Sequence, residues 1–146
     1  MIIEVVNELA TQDLAQRLGQ LLKGGETIEL MGDIGAGKTT FTKGLARGLN
    51  IEDDVQSPSF TISRVYDARD GLQLAHYDFY RLSEPGIMKD ELAEMMHDPH
   101  TITVIEWADI VEGVLPEDRL TIKFEALSDT TRRLTLSGGQ ELLEVL

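Results

Sequence analysis

MGDIGAGKTTF, residues 31–41, is the stretch on which the reading of the fold turns. Within it, Gly32-x-x-x-x-Gly37-Lys38-Thr39 satisfies the full G-x-x-x-x-G-K-[ST] pattern of a phosphate-holding loop. Gly32, Gly35 and Gly37 let the main chain curl until successive N–H groups point inward at phosphate oxygens. A helix starting near Lys38 adds the positive end of its dipole. Lys38 reaches β and γ phosphates as a mobile point charge, and Thr39 offers a hydroxyl to Mg²⁺. Thr40, in the first helical turn, is a further candidate phosphate contact. The stretch accounts for holding a magnesium nucleotide. A reaction needs other groups.

The flanks fit such a loop. Glu26 to Met31 (ETIELM) predicts a buried strand feeding it. Lys38 to Leu49 has helical spacing, with Phe41, Leu45, Ala46 and Leu49 on one side. Upstream, MIIEVV predicts a short strand. Asn7 or Thr11 then caps a helix that carries Leu14, Leu18, Leu21 and Leu22 and is closed by Gly24-Gly25. Downstream, Gln56 to Phe60 (QSPSF) is a loop, because Pro58 disfavours helix at Ser57. Thr61 to Tyr66 and Leu72 to Tyr77 alternate as two strands, joined by the turn ARDG with Asp70-Gly71 as the hairpin signal. Asp90 to His97 predicts a short helix stopped by Pro99, and Thr101 to Ile105 (TITVI) a central strand ending at Glu106-Trp107. Leu120 to Leu127 and Arg132 to Leu136 form a final strand pair, and Glu141 to Leu146 a short terminal helix or strand. Strands and helices interleave early and a β-rich part follows. The expected class is α/β: a three-layer P-loop NTPase-like domain with a mixed, mainly parallel sheet and a β-rich C-terminal part, residues 1–146 forming a single domain.

Composition narrows the function. The chain has 13 basic against 26 acidic residues, a formal net charge of −13. That argues against unaided binding to nucleic acid, whose affinity comes largely from Lys and Arg neutralising phosphates, and against docking on an anionic membrane surface. Without cysteine there is no disulfide framework, zinc-thiolate site or thiol chemistry. Glu4, Asn7 and Glu8 interrupt the apolar start too early for a secretory segment, and no run approaches the roughly 18–20 apolar residues of a membrane span. A cytoplasmic location is the expectation.

Two acidic residues at strand ends are candidates for turning binding into chemistry, which needs a carboxylate for Mg²⁺ and a group that orients the nucleophile. Glu106 follows the run Thr101 to Ile105, where such an acid usually stands. Asp78 ends the strand carrying Ala75-His76-Tyr77, but its case depends on that strand's direction, because ligands meet the carboxyl ends of parallel strands. His76 and Trp107 have ordinary structural readings, as a core histidine and a packing residue, and Arg81 as a surface arginine. A guanine-reading Asn/Thr-Lys-x-Asp element is missing, since Thr42-Lys43 is followed by Gly44-Leu45; this favours ATP.

Taken together, these features resemble one family. GDIGAGKTTFTKGLARGL (32–49) resembles the loop of the TsaE proteins, small bacterial ATPases of threonylcarbamoyladenosine tRNA modification. Val55 to Phe60 (VQSPSF) resembles their V-x-S-P-T-F segment, with Ser59 in place of Thr. His76 to Arg81 (HYDFYR) resembles H-x-D-x-Y-R, Ile105-Glu106-Trp107 their I-E-W, and Leu115-Pro116 the following L-P. Order and spacing match over nearly the whole chain; Ile87 to Pro99 departs from the family's Leu-Gly helix.

The resemblance implies a Mg-dependent ATPase, slow alone, that acts with a TsaD-like catalytic subunit and a TsaB-like companion. That pair transfers the threonylcarbamoyl group to adenosine in tRNA, which the partners hold. It also implies that Thr39 and Glu106 hold Mg²⁺, that Asp78 acts near the γ phosphate, and that Ser57 to Phe60 is a switch-like loop. Thr11 and Arg132 match residues near the nucleotide. The expected catalytic set is therefore Asp78, Lys38 and Glu106. The expected ATP-binding set is Thr11, Gly32, Asp33, Gly35, Ala36, Gly37, Lys38, Thr39, Thr40 and Arg132. Two other readings of the same cradle stay open, a small-molecule kinase and a non-catalytic ATP-binding regulator.

Overall fold

Along the chain run β1 (Ile2–Val5), α1 (Glu8–Leu21), β2 (Thr27–Met31), α2 (Lys38–Gly48), β3 (Ser63–Asp67), β4 (Gln73–Asp78), α3 (Met88–His97), β5 (Thr101–Glu106), β6 (Leu120–Ala126), β7 (Arg132–Ser137) and α4 (Gln140–Val145). Short 3-10 segments cover Arg69–Gly71 and Ala108–Val114. The computed structural model describes residues 1–56 and 62–146. The expected switch-like loop from Ser57 to Phe60, and Thr61 at the expected start of the next strand, lie outside the described residues.

Among the described residues the seven strands form one sheet in the order β1-β7-β6-β2-β5-β4-β3. The mixed sheet expected from the sequence is present. Its parallel pairings join β6, β2, β5 and β4, and antiparallel strands flank them on both sides. β5 carries a side chain alternately to each face, as a strand buried on both sides must. Ile102 and Val104 pack in one cluster with Leu14 and Leu18 of α1 and Phe41 and Leu45 of α2. Ile105 packs in the other with Tyr77, and with Leu92 and Met96 of α3. Helices on the two faces of the sheet make three layers.

Local chemistry explains the element ends. Asn7 caps α1: its Oδ1 accepts from the Ala10 N–H at 2.8 Å. Thr11 lies inside the helix, its hydroxyl turned back to the Asn7 carbonyl at 3.3 Å. In the β3–β4 turn Asp70 and Gly71 both have positive φ, 57° and 74°, as a two-residue hairpin turn requires. The helix over Asp90 to His97 starts two residues earlier, at Met88. The terminal segment is helical. No helix among the described residues is long and apolar enough to cross a membrane.

α1 and α2 pack backbone to backbone. A Cβ on Gly44 would stand 2.4 Å from the Gln12 carbonyl oxygen, and one on Gly48 2.3 Å from that of Gln16. Arg69 then locks the ends of both helices. Its Nη2 donates to the carbonyls of Gly19, Gln20 and Leu22 at 2.8, 3.1 and 2.9 Å, and its Nε to that of Gly48 at 3.3 Å. Carbonyls at a helix C-terminus lack the usual partner four residues on, though that of Gly19 also accepts from the Leu22 N–H at 3.4 Å, and a guanidinium complements the negative dipole end. R69A is expected to lower unfolding free energy by about 1.5–3 kcal/mol, the range for hydrogen bonds to a charged group, read by urea denaturation. An unchanged midpoint would show that solvent serves these carbonyls equally well.

Tyr77 is wholly buried between β4 and α3, its hydroxyl 3.4 Å from Glu91 Oε1. Burial, reinforced by the Glu91 charge, pushes the phenol above its ordinary value of 10.0. Below that value the phenol is neutral in both folded and unfolded chains. Above it the unfolded chain ionises first, so stability is lost as pH climbs from 10 through the folded-state value. Y77F is expected to show a smaller fall in Tm than the parent between about pH 9 and pH 11; an equal fall would assign the alkaline sensitivity to other groups.

Candidate functional site

Three parallel strand ends build the site. β2 delivers the chain into the Gly-rich loop. Asp78 and Glu106 are the last residues of β4 and β5 and are direct partners in the parallel ladder; Leu30 of β2 is paired with Glu106 on the other side. The direction of β4, which sequence left open, is thus parallel. Alternation puts His76, Asp78 and Glu106 on the same face as α1 and α2. The loop itself is held by close approach: a Cβ on Gly32 would meet the Phe124 carbonyl oxygen at 2.9 Å. Gly37, with φ 111° and ψ 10°, opens α2 from the left-handed region.

Lys38 is the hub. Its Nζ donates to the Gly32 carbonyl at 2.7 Å, stands 3.9 Å from Glu106 Oε1 and lies 4.1 Å from the centroid of the Trp107 ring. The side chain is only 6% exposed. Burial draws the ammonium below its ordinary value of 10.5, against the opposing pull of Glu106, Asp78 and Asp33. The other Glu106 oxygen, Oε2, is 2.6 Å from His76 Nε2. Asp78 Oδ1 accepts from the Tyr80 N–H at 3.0 Å. Trp107 follows Glu106 in the left-handed region, φ 56° and ψ 51°, a conformation that costs a side chain about 1–2 kcal/mol. Its ring meets Tyr80 at 4.9 Å and 50°.

A cavity of about 550 Å³ opens over the loop, and the structure brings Thr11, Gly35, Gly37, Lys38, Thr39, Thr40, Asp78, Glu106 and Arg132 together on its wall. Gly32, Asp33 and Ala36 do not line it. Gly32 acts through the carbonyl that holds Lys38, Asp33 through its charge on Lys38, and Ala36 is buried beneath. Arg132 is fixed at the rim by the carbonyls of Ser128 and Thr131, at 2.8 and 3.1 Å, and reaches the Gly35 carbonyl at 3.5 Å.

The sequence reading gives Trp107 and Arg81 only structural roles and does not single out several other neighbours. Tyr80, Arg81 and Trp107 also line the cavity, as do Asp129 and Thr130 from the β6–β7 turn and Glu8 and Ile34. Adjacency to Asp78 and Glu106 was the signal for the first three. Nothing local marks Asp129 or Thr130. His76, read as an ordinary core histidine, is wholly buried and also bonds Glu106 directly.

Among the described residues no group of three or more His, Cys, Asp or Glu could hold a metal ion by itself. The donors beside the loop and the strand ends are oxygens: the Thr39 hydroxyl and the Asp78 and Glu106 carboxylates, with the Glu8 and Asp129 carboxylates elsewhere on the wall. Hard oxygen donors too few to enclose an ion fit Mg²⁺, which keeps several waters and takes phosphate oxygens alongside one or two carboxylates.

A Gly-rich strand-to-helix loop at the carboxyl edge of parallel strands, faced by two strand-end acids, defines a P-loop α/β protein. Comparison with known proteins narrows that class. A family profile described as threonylcarbamoyl adenosine biosynthesis protein TsaE matches residues 5–134, and the chain belongs to that family. It is similar to the tRNA threonylcarbamoyladenosine biosynthesis protein TsaE of Bacillus subtilis, 38% identical over 146 residues, spanning 97% of this chain and 87% of that one. The protein of the same name from Streptomyces coelicolor is 39% identical over 135 residues, 87% of this chain and 89% of that one. The crystal structure of Bacillus subtilis YdiB superposes with a TM-score of 0.81 at 35% identity, covering 99% of this chain and 92% of that one.

Trp107 is the chain's one tryptophan and lies on Lys38. A phosphate that draws Lys38 away from the ring is expected to change Trp107 emission. Titration with Mg-ADP should therefore give a saturable fluorescence change that K38M removes. A change of equal size in K38M would mean that the ring responds to something other than the lysine.

Proposed function

We propose that this chain is a Mg-dependent ATPase required for threonylcarbamoyladenosine modification of tRNA. The observation that carries the proposal is the convergence of Asp78 and Glu106, from adjacent parallel strands, on the cavity that Lys38 and Thr39 line. Family membership supports the pathway. It also supports a cytoplasmic protein, organised as one P-loop domain over residues 1–146, that works with a TsaD-like catalytic subunit and a TsaB-like companion.

The chain's own groups divide the work. Loop N–H groups and the α2 N-terminus cradle phosphate, with Gly35, Gly37 and Thr40 at the cavity wall. Lys38 exchanges the Gly32 carbonyl for phosphate oxygens. The Thr39 hydroxyl and Glu106 would hold Mg²⁺, which when bound neutralises charge on the β and γ phosphates. Asp78 orients the attacking water beside the γ phosphate. Thr11 and Arg132 close the other walls. The excess of acidic over basic residues fits a subunit that meets tRNA only through its partners.

Replacement of Lys38 or Glu106 by Ala is expected to reduce ATP turnover about 100-fold or more, as loss of a preorganised charge at a phosphoryl-transfer site does. Phosphate release measured alone and with the two candidate partners, with modified tRNA followed in parallel, checks this. Undiminished release in both variants would sink the ATPase reading. Phosphate appearing on an added small-molecule acceptor would favour a kinase instead. Tight Mg-ATP binding without turnover, even with partners, would favour a regulator.

A further inference from the structure

We infer that His76 is a positioning residue that holds the Glu106 carboxylate short of direct contact with Lys38, so that one carboxylate oxygen serves the metal and the lysine serves phosphate. The inference rests on the reading of this cavity as a Mg-nucleotide site and assigns within it a role that the loop motif does not contain.

His76 is wholly buried, in a stretch of β4 whose same-face neighbours, Leu74 and Val104, belong to the apolar cluster. A histidine kept for core packing is ordinarily satisfied at both nitrogens. Among the described residues Nδ1 has no hydrogen-bond partner, and the ring's one polar contact there is Nε2 with Glu106 Oε2 at 2.6 Å. A carboxylate oxygen only accepts, so that contact puts a hydrogen on Nε2. The ring has therefore one polar task, to donate to Glu106.

That donation divides the carboxylate. Oε2 is committed to the imidazole, and Oε1 faces Lys38 at 3.9 Å, beyond hydrogen-bond length. The ammonium bonds the Gly32 carbonyl at 2.7 Å instead. Buried side by side and otherwise unrestrained, Lys38 and Glu106 would close into a direct ion pair. Such a pair would consume both charges the site needs. The imidazole on the far oxygen opposes that collapse. Hydrogen bonds to a ligating carboxylate are the usual means by which a protein orients a metal ligand.

Calorimetry of a non-hydrolysable ATP analogue, with Mg²⁺ and with EDTA, tests this in the intact protein without turnover. The parent chain is expected to bind more tightly with Mg²⁺. H76L, which removes the donor, should lose about 10–100-fold of that gain, the usual effect of losing a partner to a metal ligand. H76Q, which restores an N–H, should keep most of it. In E106Q the H76L change should add no further loss. Normal Mg²⁺ dependence in H76L would overturn the role, as would a full additional loss in the double variant. If the parent chain shows no Mg²⁺-dependent binding, the Mg-nucleotide reading itself fails, and this role with it.

A measurement on the parent chain covers the case in which H76L does not fold. Of the three histidines, His97 and His100 are exposed, so a slowly exchanging imidazole N–H belongs to His76, and H76Q deletes it. That resonance is expected to move on adding the analogue with Mg²⁺ and to stay with the analogue in EDTA. A resonance unmoved by Mg²⁺ would overturn the role independently of any variant.

Discussion

The parallel register of β2, β5 and β4 is the constraint on which the rest of the site depends. Hydrogen bonding pairs Leu30 with Glu106 and Glu106 with Asp78. The end of the strand that feeds the loop and the two acids are thereby fixed side by side. A slip of one residue in either pairing would turn the acidic side chain to the opposite face, toward α3 and away from the loop. The apolar residues between them prevent the slip, because Ile102 and Val104 must meet α1 and α2 while Ile105 must meet Tyr77 and Leu92. Core packing and placement of the acids are one requirement.

On that frame the electrostatics are held open. Lys38 is buried among Glu106, Asp78 and Asp33, yet its hydrogen bond goes to a main-chain carbonyl and its remaining face to an aromatic ring. A buried ammonium is costly to desolvate. The cation–π contact with Trp107 and the Gly32 carbonyl offset that cost without spending the lysine on a carboxylate. The left-handed backbone of Trp107 is part of the arrangement, since it sets the ring over Lys38 immediately after Glu106. Strain of this kind gathers where surrounding packing over-determines a functional conformation.

Local signals were legible where a few neighbouring residues carry the physics. The P-loop spacing, the Asn7 cap and the Asp70-Gly71 turn each rest on φ freedom or a short-range hydrogen bond, and each has its counterpart in the structure. Legibility failed where the partner is distant in the chain. Arg69 carries no motif, yet it satisfies carbonyls some twenty to fifty residues away. His76 is a core residue, as the sequence reads, but its bond to Glu106 is illegible there because the partner is thirty residues on. Asp129 and Thr130 reach the cavity only because β6 and β7 extend the sheet past the loop.

The sequence by itself determined the cradle: glycines that can curl, a lysine and a threonine opening a helix, and an apolar strand leading in. All of that is written within about a dozen residues, because backbone conformation and capping act over a turn or two. Only the tertiary structure decided which acids face the cradle, which oxygen of Glu106 stays available, and which aromatic ring covers Lys38. Those depend on strand order and direction, and these follow from burying the apolar faces of the whole chain at once rather than from any one segment.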